Sequence, residues 1–237
     1  QMTLCFDFKT FLKTKAKPEY VGALLNVNTP DGDTLVQEVR IKARGEMRRN
    51  YCYLPPIMLK FRKSSPDSSM YPSGGTLKLV THCNTSAEFE NYVLKEYLVY
   101  RLYNHLTPYS LRTRLVQICY RDIAGHRKDM VSYGFLIEDA EQMAGRNHAV
   151  VVRADKLSQS QMDPADMARV AIFNYMIGNT DWSVALQHNV KVLKLLNFTA
   201  QKGIPVAYDF DYSGFVNTTY SAPFEQLPIK SVLERYY

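Results

Sequence analysis

The stretch on which the predicted fold and function most depend runs from residue 178 to residue 214 and reads GNTDWSVALQHNVKVLKLLNFTAQKGIPVAYDFDYSG. It places Asp181 after an apolar helical pattern, Asn189 further on, then a short hairpin that leads to Asp209. Phosphoryl transfer needs one carboxylate to orient or deprotonate an acceptor hydroxyl, and an amide oxygen with a second carboxylate to hold magnesium. Asp181, Asn189 and Asp209 fit these roles in that order.

Each of these residues also has a simpler structural interpretation. Asp181 could be an Asx residue at a turn or helix end, and Asn189 an ordinary loop amide. If Asp209 and Asp211 both lay on a strand, their side chains would point the same way. That arrangement is costly for two carboxylates unless a cation lies between them or one of them bends away. The cost favours a functional role for Asp209.

A second pair of residues lies upstream. Lys78 stands in the apolar strand predicted for residues 76–80, and Glu96 lies on a helix predicted for about residues 86–106. Helical spacing puts Glu96 on a face shared with aromatic side chains, so its carboxylate needs a cationic partner. A strand lysine paired with a helix glutamate is how protein kinases hold the α and β phosphates. Alternatively, Lys78 is an outward strand residue and Glu96 a surface acid.

The rest of the chain predicts strands, then a long helix, then further strands and a second helix. A capping box at residues 85–88 begins the helix of Glu96, and Pro108 ends it. A second helix has Asp163 as its N-cap, Pro164 in its first turn and Gly178 at its end. Residues 63–75 are rich in Ser, Pro and Gly and predict an exposed loop. Alternation and turn residues predict strands at residues 20–27, 34–43, 54–61, 76–80, 114–120, 131–137, 190–195 and 206–211.

Composition limits the class of protein. The chain has 237 residues, of which 46% are hydrophobic and 22% charged, so a disordered or collagen-like chain is excluded. Its apolar runs are far shorter than the roughly 18 to 20 residues that cross a bilayer. Four cysteines without a C-x-x-C pair argue against structural zinc, and they permit two disulfides without demanding them.

The formal net charge of +6 invites a phosphate or nucleic-acid partner. The bases are spread along the chain, and the densest cluster holds Arg44, Arg48 and Arg49, which form either a solvated basic face or a phosphate-facing one. A nucleic-acid module would need a contiguous basic stripe interleaved with exposed aromatic residues. Because many of the aromatic residues fall on faces predicted to be core, nucleic acid is not an expected partner.

The order of these residues resembles atypical members of the protein-kinase-like superfamily, nearest to the spore-coat CotH-type kinases and more distantly to HipA-like kinases. The resemblance spans roughly residues 36 to 216. Its pieces are the basic arginine-glycine strand at residues 39–45, Lys78, Glu96, the segment 133–138, the segment 179–189 and the Asp-Phe-Asp run at residues 209–211.

The resemblance implies an α+β, two-lobed, protein-kinase-like fold, with a β-rich N-terminal lobe (residues 1–138) and a small, mainly helical C-terminal lobe (residues 139–237). It also implies a role for each matching residue. Lys78 contacts ATP phosphates and Glu96 orients it, and Asp181 is the catalytic base. Asp211 is a second acid near the metal or a structural acceptor. The hinge that meets adenine comprises Phe135, Leu136, Ile137 and Glu138, Arg44 lies on the nucleotide side, and Asn189 and Asp209 ligate Mg²⁺ or Mn²⁺.

Three features depart from the family pattern. No G-x-G-x-x-G run stands in the first hairpin, Thr180 precedes Asp181 where kinases have His-Arg, and Asn189 follows eight residues after Asp181 instead of the usual five. The predicted function is a metal-dependent, ATP-using phosphotransferase that acts on a hydroxyl of a protein or small molecule. The alternative is a pseudokinase or binding module without turnover. The resemblance also favours an exported bacterial protein, whether periplasmic, surface-bound or secreted.

Overall fold

A computed structural model describes residues 1–17, 19–29, 31–62, 75–153, 157–196 and 202–236. The chain divides into two compact units. The first unit comprises Gln1–Leu94 and Arg114–Ile137, and the second comprises Lys95–Thr113 and Glu138–Tyr237. All but the last residue of the loop predicted for residues 63–75 lies outside the described residues.

Seven strands form a closed barrel in the first unit. Their order around the barrel is β1-β2-β3-β4-β5-β7-β6. Two short helices, α1 (Phe8–Lys13) and α2 (Met47–Tyr51), lie between strands in the sequence. The strands are β1 (Met2–Phe6), β2 (Val21–Asn28), β3 (Thr34–Ala43), β4 (Ile57–Phe61), β5 (Thr76–Val80), β6 (Thr113–Asp122) and β7 (Met130–Ile137).

The barrel core follows from the alternation of side chains along each strand. On β3, Val39, Ile41 and Ala43 are buried, whereas Arg40 is exposed and Lys42 half-buried. The neighbouring strand β4, which pairs with β3, buries Ile57, Leu59 and Phe61 in the same core. The inner face of the barrel is therefore apolar and its outer face carries the charges.

Strand β1 closes the barrel. It pairs with β2 in antiparallel fashion and with β6 in parallel fashion, so that Met2 lies opposite both Val27 and Ile118. A sheet closed in this way leaves no edge strand with unpaired backbone groups.

The two-lobed, protein-kinase-like fold expected from the resemblance is therefore wrong. The described chain forms a β-rich protein with a closed seven-stranded barrel and few helices. The expectation rested on residues predicted to bind or transfer phosphate, and it assigned no strand to residues 2–6. That segment is only five residues long, and its β-structure depends on pairing with two strands, of which β6 is distant in the sequence.

The second unit is not mainly helical either. It contains an antiparallel three-stranded sheet in the order β10-β9-β8. The strands are β8 (Ala149–Val151), β9 (Val190–Leu195) and β10 (Ile204–Ala207), and the helices are α4 (Ala140–Arg146) and α5 (Pro164–Ile177). Helix α3 (Ala87–Leu106) lies where the sequence predicts a helix, and its residues from Lys95 onward belong to this unit.

Helix α5 has the boundaries that its sequence predicts. The Asp163 side chain accepts hydrogen bonds from the backbone N–H groups of Ala165 and Asp166, and Pro164 occupies the first turn. Gly178 ends the helix with a φ of 66°, a left-handed conformation that glycine adopts without strain.

Cys52 and Cys83 form a disulfide, whereas Cys5 and Cys119 are free thiols. Within the described ranges, no helix combines the length and the apolar character that a membrane crossing requires.

Candidate functional site

The Asp209-Phe210-Asp211 segment is held by the side chain of its phenylalanine. Phe210 is fully buried and packs edge-on against Tyr100 of α3, with ring centroids 4.8 Å apart, and against Phe173 of α5 at 5.7 Å. Such aromatic contacts add to the free energy gained from burying the ring. Phe210 therefore fixes the position of the two flanking aspartates.

The backbone turns away from the strand at this point. Strand β10 ends at Ala207, and Asp209 has a φ of 62°, so the two aspartates do not continue the strand alternation. The hydroxyl of Tyr100 accepts a hydrogen bond of 2.9 Å from the Asp209 N–H. Tyr103, three residues after Tyr100 on α3, is also buried, and burial raises the pKa of its phenol to about 12. Tyr103 stays neutral under physiological conditions and adds no charge to the site.

Three carboxylates meet at this turn. One oxygen each of Glu96, Asp209 and Asp211 lies within 4.8 Å of the others, and we call these residues the acidic cluster. Glu96 is only 2% exposed and Asp211 only 6%, while Asp209 is half-buried. The hydroxyl of Tyr220 lies 3.0 Å from Oδ2 of Asp211 and donates a hydrogen bond to it. Because buried like charges repel strongly, a cation or a bound proton lowers the free energy of this arrangement.

The acidic cluster fits a small divalent cation. Carboxylate oxygens are the ligands that Mg²⁺ and Mn²⁺ prefer. Two oxygens on opposite sides of one Mg²⁺ lie about 4.2 Å apart, given a bond length of about 2.1 Å. The oxygens of the acidic cluster are at most 4.8 Å apart, so the three carboxylates lie within reach of a single ion.

Asp181 lies after α5, at the end of a chain of buried amides. Asn174 on α5 donates to the carbonyl oxygen of Val170 and accepts from the Asn179 side chain at 2.9 Å. The side-chain oxygen of Asn179 in turn accepts from the Asp181 N–H at 3.1 Å. Asn174 is fully buried and Asn179 is 4% exposed. These bonds fix the backbone that carries the Asp181 carboxylate.

A tight turn then brings His188 and Asn189 back to Asp181. Ser183 and His188 exchange two backbone hydrogen bonds of 2.9 Å, which close the turn. Nε2 of His188 lies 2.7 Å from Oδ1 of Asp181, and Nδ2 of Asn189 donates to Oδ2 at 2.9 Å. Asp181, His188 and Asn189 form what we call the Asp181 cluster. The turn between Ser183 and His188 accounts for the eight-residue spacing.

The Asp181 cluster and the acidic cluster lie at the same end of the β9–β10 hairpin. The carbonyl oxygen of Asn189 accepts a hydrogen bond of 3.0 Å from the Tyr208 N–H, one residue before Asp209. Asn189 directs its amide nitrogen to Asp181. The role of Asn189 as a metal ligand stays a prediction, as do the metal roles of Asp209 and Asp211.

The other predicted nucleotide residues belong to the first unit, except Glu138, which belongs to the second. Lys78 lies on β5 opposite Ile137 of β7, and its neighbour Leu79 fills the barrel core. Phe135 and Ile137 are buried, and Leu136 is half-buried. The N–H of Arg44 donates to the carbonyl oxygen of Pro56 at 2.8 Å. The nucleotide roles of Lys78, Arg44 and residues 135–137 stay predictions.

Glu138 has several partners of its own. Its carboxylate oxygens accept hydrogen bonds from the Arg146 guanidinium at 2.9 and 3.1 Å and from the Arg112 N–H at 3.0 Å. The N–H of Glu138 donates to the carbonyl oxygen of Arg112. These bonds fix the segment that the resemblance assigns to the adenine hinge.

The sequence pattern did not identify the site contacts of four residues, which are His188, Tyr100, Tyr220 and Glu96. His188 was a lone histidine beside Asn189, and only the closed turn shows that it bonds Asp181. Tyr100 shares a helical face with Glu96, four residues away, which was a readable signal for a common site. Nothing in the sequence marked Tyr220. Glu96 was assigned as the partner of a lysine, and its membership in the acidic cluster was not foreseen.

Comparison of the sequence with models of known protein families and with curated proteins finds no match.

Proposed function

We propose that this protein is a divalent-cation-dependent phosphotransferase that uses ATP and passes a phosphoryl group to a hydroxyl. The observation that carries the proposal is the acidic cluster, in which Glu96 and Asp211 are buried next to Asp209. Converging carboxylate oxygens are the donor set that small divalent cations prefer. A divalent cation held there would offset the negative charge of the phosphates during transfer.

Asp181 is the proposed catalytic base. The acceptor oxygen bonds to the γ phosphorus while the bond from that phosphorus to the bridging oxygen breaks, and ADP leaves with the electron pair. The acceptor hydroxyl gives its proton to Asp181. His188 and Asn189 each bond one carboxylate oxygen of Asp181, and they hold it in place while leaving each oxygen a further lone pair.

The motif order supports the same chemistry independently of fold. Lys78, Arg44 and the segment from Phe135 to Glu138 are proposed to bind the nucleotide, as in the atypical kinases whose residue order this chain resembles. The same parts without turnover would make a binding module, in the manner of a pseudokinase, and the experiment below separates the two.

Calorimetric titration of the full chain with Mn²⁺, and then with ATP in the presence of Mn²⁺, tests the proposed cation site. We expect Mn²⁺ to bind and the Asp209→Asn variant to lose at least tenfold in affinity, because it replaces one carboxylate ligand by a neutral amide. Glu225→Gln is the matched control, since it removes an exposed carboxylate of the same unit outside the cluster. Equal affinity in all three proteins contradicts the cation site.

Release of ADP from ATP, with water as acceptor, tests the base. We expect Asp181→Asn to slow this release by about 10² to 10⁴-fold and to leave Mn²⁺ affinity within about twofold. If Mn²⁺ and ATP bind but no ADP forms under any condition, the binding module without turnover is the correct account. If ADP forms equally fast in the variant, Asp181 is not the base.

A further inference from the structure

We propose that the outer face of the barrel, where strands β2, β3 and β4 meet, binds single-stranded nucleic acid. The residues concerned are Tyr20, Arg40, Lys42 and Lys60, which we call the basic patch. All of them belong to the first unit, and the inference does not depend on the proposed phosphotransferase activity.

The basic patch forms because strand pairing brings together cations that are far apart in the chain. Arg40 on β3 lies directly opposite Lys60 on β4, and Lys42 follows two residues later on the same outer face. All three point away from the core, because their neighbours Val39, Ile41 and Leu59 fill it. The sequence showed only scattered bases, whereas the register makes a contiguous positive surface.

An aromatic ring stands in the middle of these cations. The charged groups of Arg40, Lys42 and Lys60 lie 5.1, 4.8 and 5.4 Å from the centroid of the Tyr20 ring. A basic surface with an interleaved aromatic residue is the combination that single-stranded nucleic acid requires, since the cations bind phosphates and the ring stacks on a base. The sequence pattern showed no such interleaving of cations and exposed aromatic residues, and for that reason nucleic acid was not an expected partner.

The cations of the basic patch have no carboxylate partner among the described residues. None of the ion pairs between described residues includes Arg40, Lys42 or Lys60. The acid on the same stretch of β3, Glu38, is already paired with Arg62 at 2.7 Å. Three clustered like charges repel one another, so a polyanion that lies over them relieves the repulsion and releases its own counterions.

The outer face also has room for a base. Gly22 on β2 lies opposite Arg40, and nothing lies within 4 Å of the position where a Cβ would stand. Leu24, two residues along the same face, is 43% exposed and offers apolar surface. A single small anion would use the cations but neither this space nor the leucine, which favours a strand with bases.

Fluorescence anisotropy of a labelled 15-nucleotide oligo(dT), titrated with the full chain at several KCl concentrations, tests the proposal. With three phosphate contacts, the slope of log K against log salt should be about −2, from about −0.7 per contact. We expect Arg40→Gln with Lys60→Gln to reduce its magnitude by about 1.4. Lys194→Gln, which removes an exposed cation of β9, is the matched control and should leave the slope unchanged.

Two further measurements distinguish stacking of a base on Tyr20 from non-specific attraction between charges. Tyr20→Ala should weaken oligo(dT) binding at least about fivefold, whereas Tyr20→Phe keeps the ring and should stay within about twofold. Circular dichroism confirms that each variant is folded. The proposal is overturned if the double variant keeps the full slope, if Tyr20→Ala binds as well as Tyr20→Phe, or if polyglutamate of equal length competes as well as oligo(dT).

Discussion

In the first unit, strands bury apolar side chains on one face and leave charges on the other, and the buried polar residues described in this unit are Thr81, His82, Asp122 and Ser132. Among the described residues, the second unit buries twice as many polar residues, and two of them, Glu96 and Asp211, are acids that lie close together. The barrel core runs from Leu4 and Phe6 through Ile41 and Leu59. The buried polar residues of the second unit are Glu96, Thr107, Ser110, Asn174, Asn179, Asp211, Ser213 and Thr218. Because burying a polar group costs free energy unless it is bonded, a protein keeps such groups where they position a site. The comparison therefore locates the candidate cation site in the second unit.

The largest expected effect comes from Phe210→Ala, which would break the arrangement of the second unit. Removing this buried ring leaves a cavity beside Tyr100 and Phe173 and should lower the free energy of unfolding by about 3–5 kcal/mol. Because the ring also anchors both aspartates, Mn²⁺ affinity should fall as well. Urea unfolding and calorimetry measure the two effects.

Phe215→Ala is the control for that variant, since Phe215 belongs to the same unit but is 42% exposed. It should cost less than about 1 kcal/mol and leave Mn²⁺ binding intact. Equal stability of the Phe210→Ala and Phe215→Ala variants would contradict the anchoring role of Phe210.

The disulfide should have the next largest effect, this time in the first unit. Cys52 and Cys83 are separated by 31 residues, and their link restricts the unfolded chain. Replacing both by serine should lower the free energy of unfolding by about 2–4 kcal/mol, as measured by guanidinium denaturation. Cys119→Ser removes a free thiol and should change stability little. Alkylation of four thiols in the unfolded, unreduced protein would show that the disulfide is absent.

The smallest expected effect is the pH dependence of the first unit through His82. This side chain is 4% exposed, and burial lowers its pKa from the ordinary value of 6.5, while Glu90 partly opposes the shift. A lowered pKa means that the fold prefers neutral imidazole. The contribution is therefore complete above about pH 6.5 and is lost as the pH falls toward the folded-state pKa, by up to about 1.4 kcal/mol per pH unit.

Thermal and urea unfolding between pH 7.5 and 5 measure this dependence. His82→Gln should flatten the curve, while His105→Gln, which changes an exposed histidine of α3, should leave it unaltered. Identical curves for the wild-type and His82→Gln proteins would show that His82 does not contribute.

Helices and strands could be predicted where the residues that signal them lie close together in the chain. The strand at Thr34–Ala43 and the helix at Pro164–Ile177 follow from alternation, from the Asp163 cap and from Gly178, all of which lie within a few residues. Strand β1, helix α4 and strand β8 were not predicted, because each is short and its pairing or packing partner is distant. The fold class failed for the same reason, since closure of the barrel depends on Met2–Phe6.

The sequence predicted which residues belong to the candidate site, but it predicted few of the contacts between them. Asp181, Asn189, Asp209 and Asp211 were selected by residue type and order, and the structure puts Asn189 on Asp181 and Asp211 beside Asp209. The sequence assigned Glu96 to a lysine, but its carboxylate also meets two aspartates that follow more than one hundred residues later. Helical spacing shows which face Glu96 occupies and does not show which loop covers that face.

The sequence by itself determined the alternation of the barrel strands and the ends of α5, because each depends on neighbours in the chain. The tertiary structure alone decided that the barrel closes, that Glu96 joins Asp209 and Asp211, and that Arg40, Lys42 and Lys60 surround Tyr20. These arrangements depend on strand register and on the packing of distant segments. Such contacts are set by the free energy of the whole fold, which no local pattern encodes.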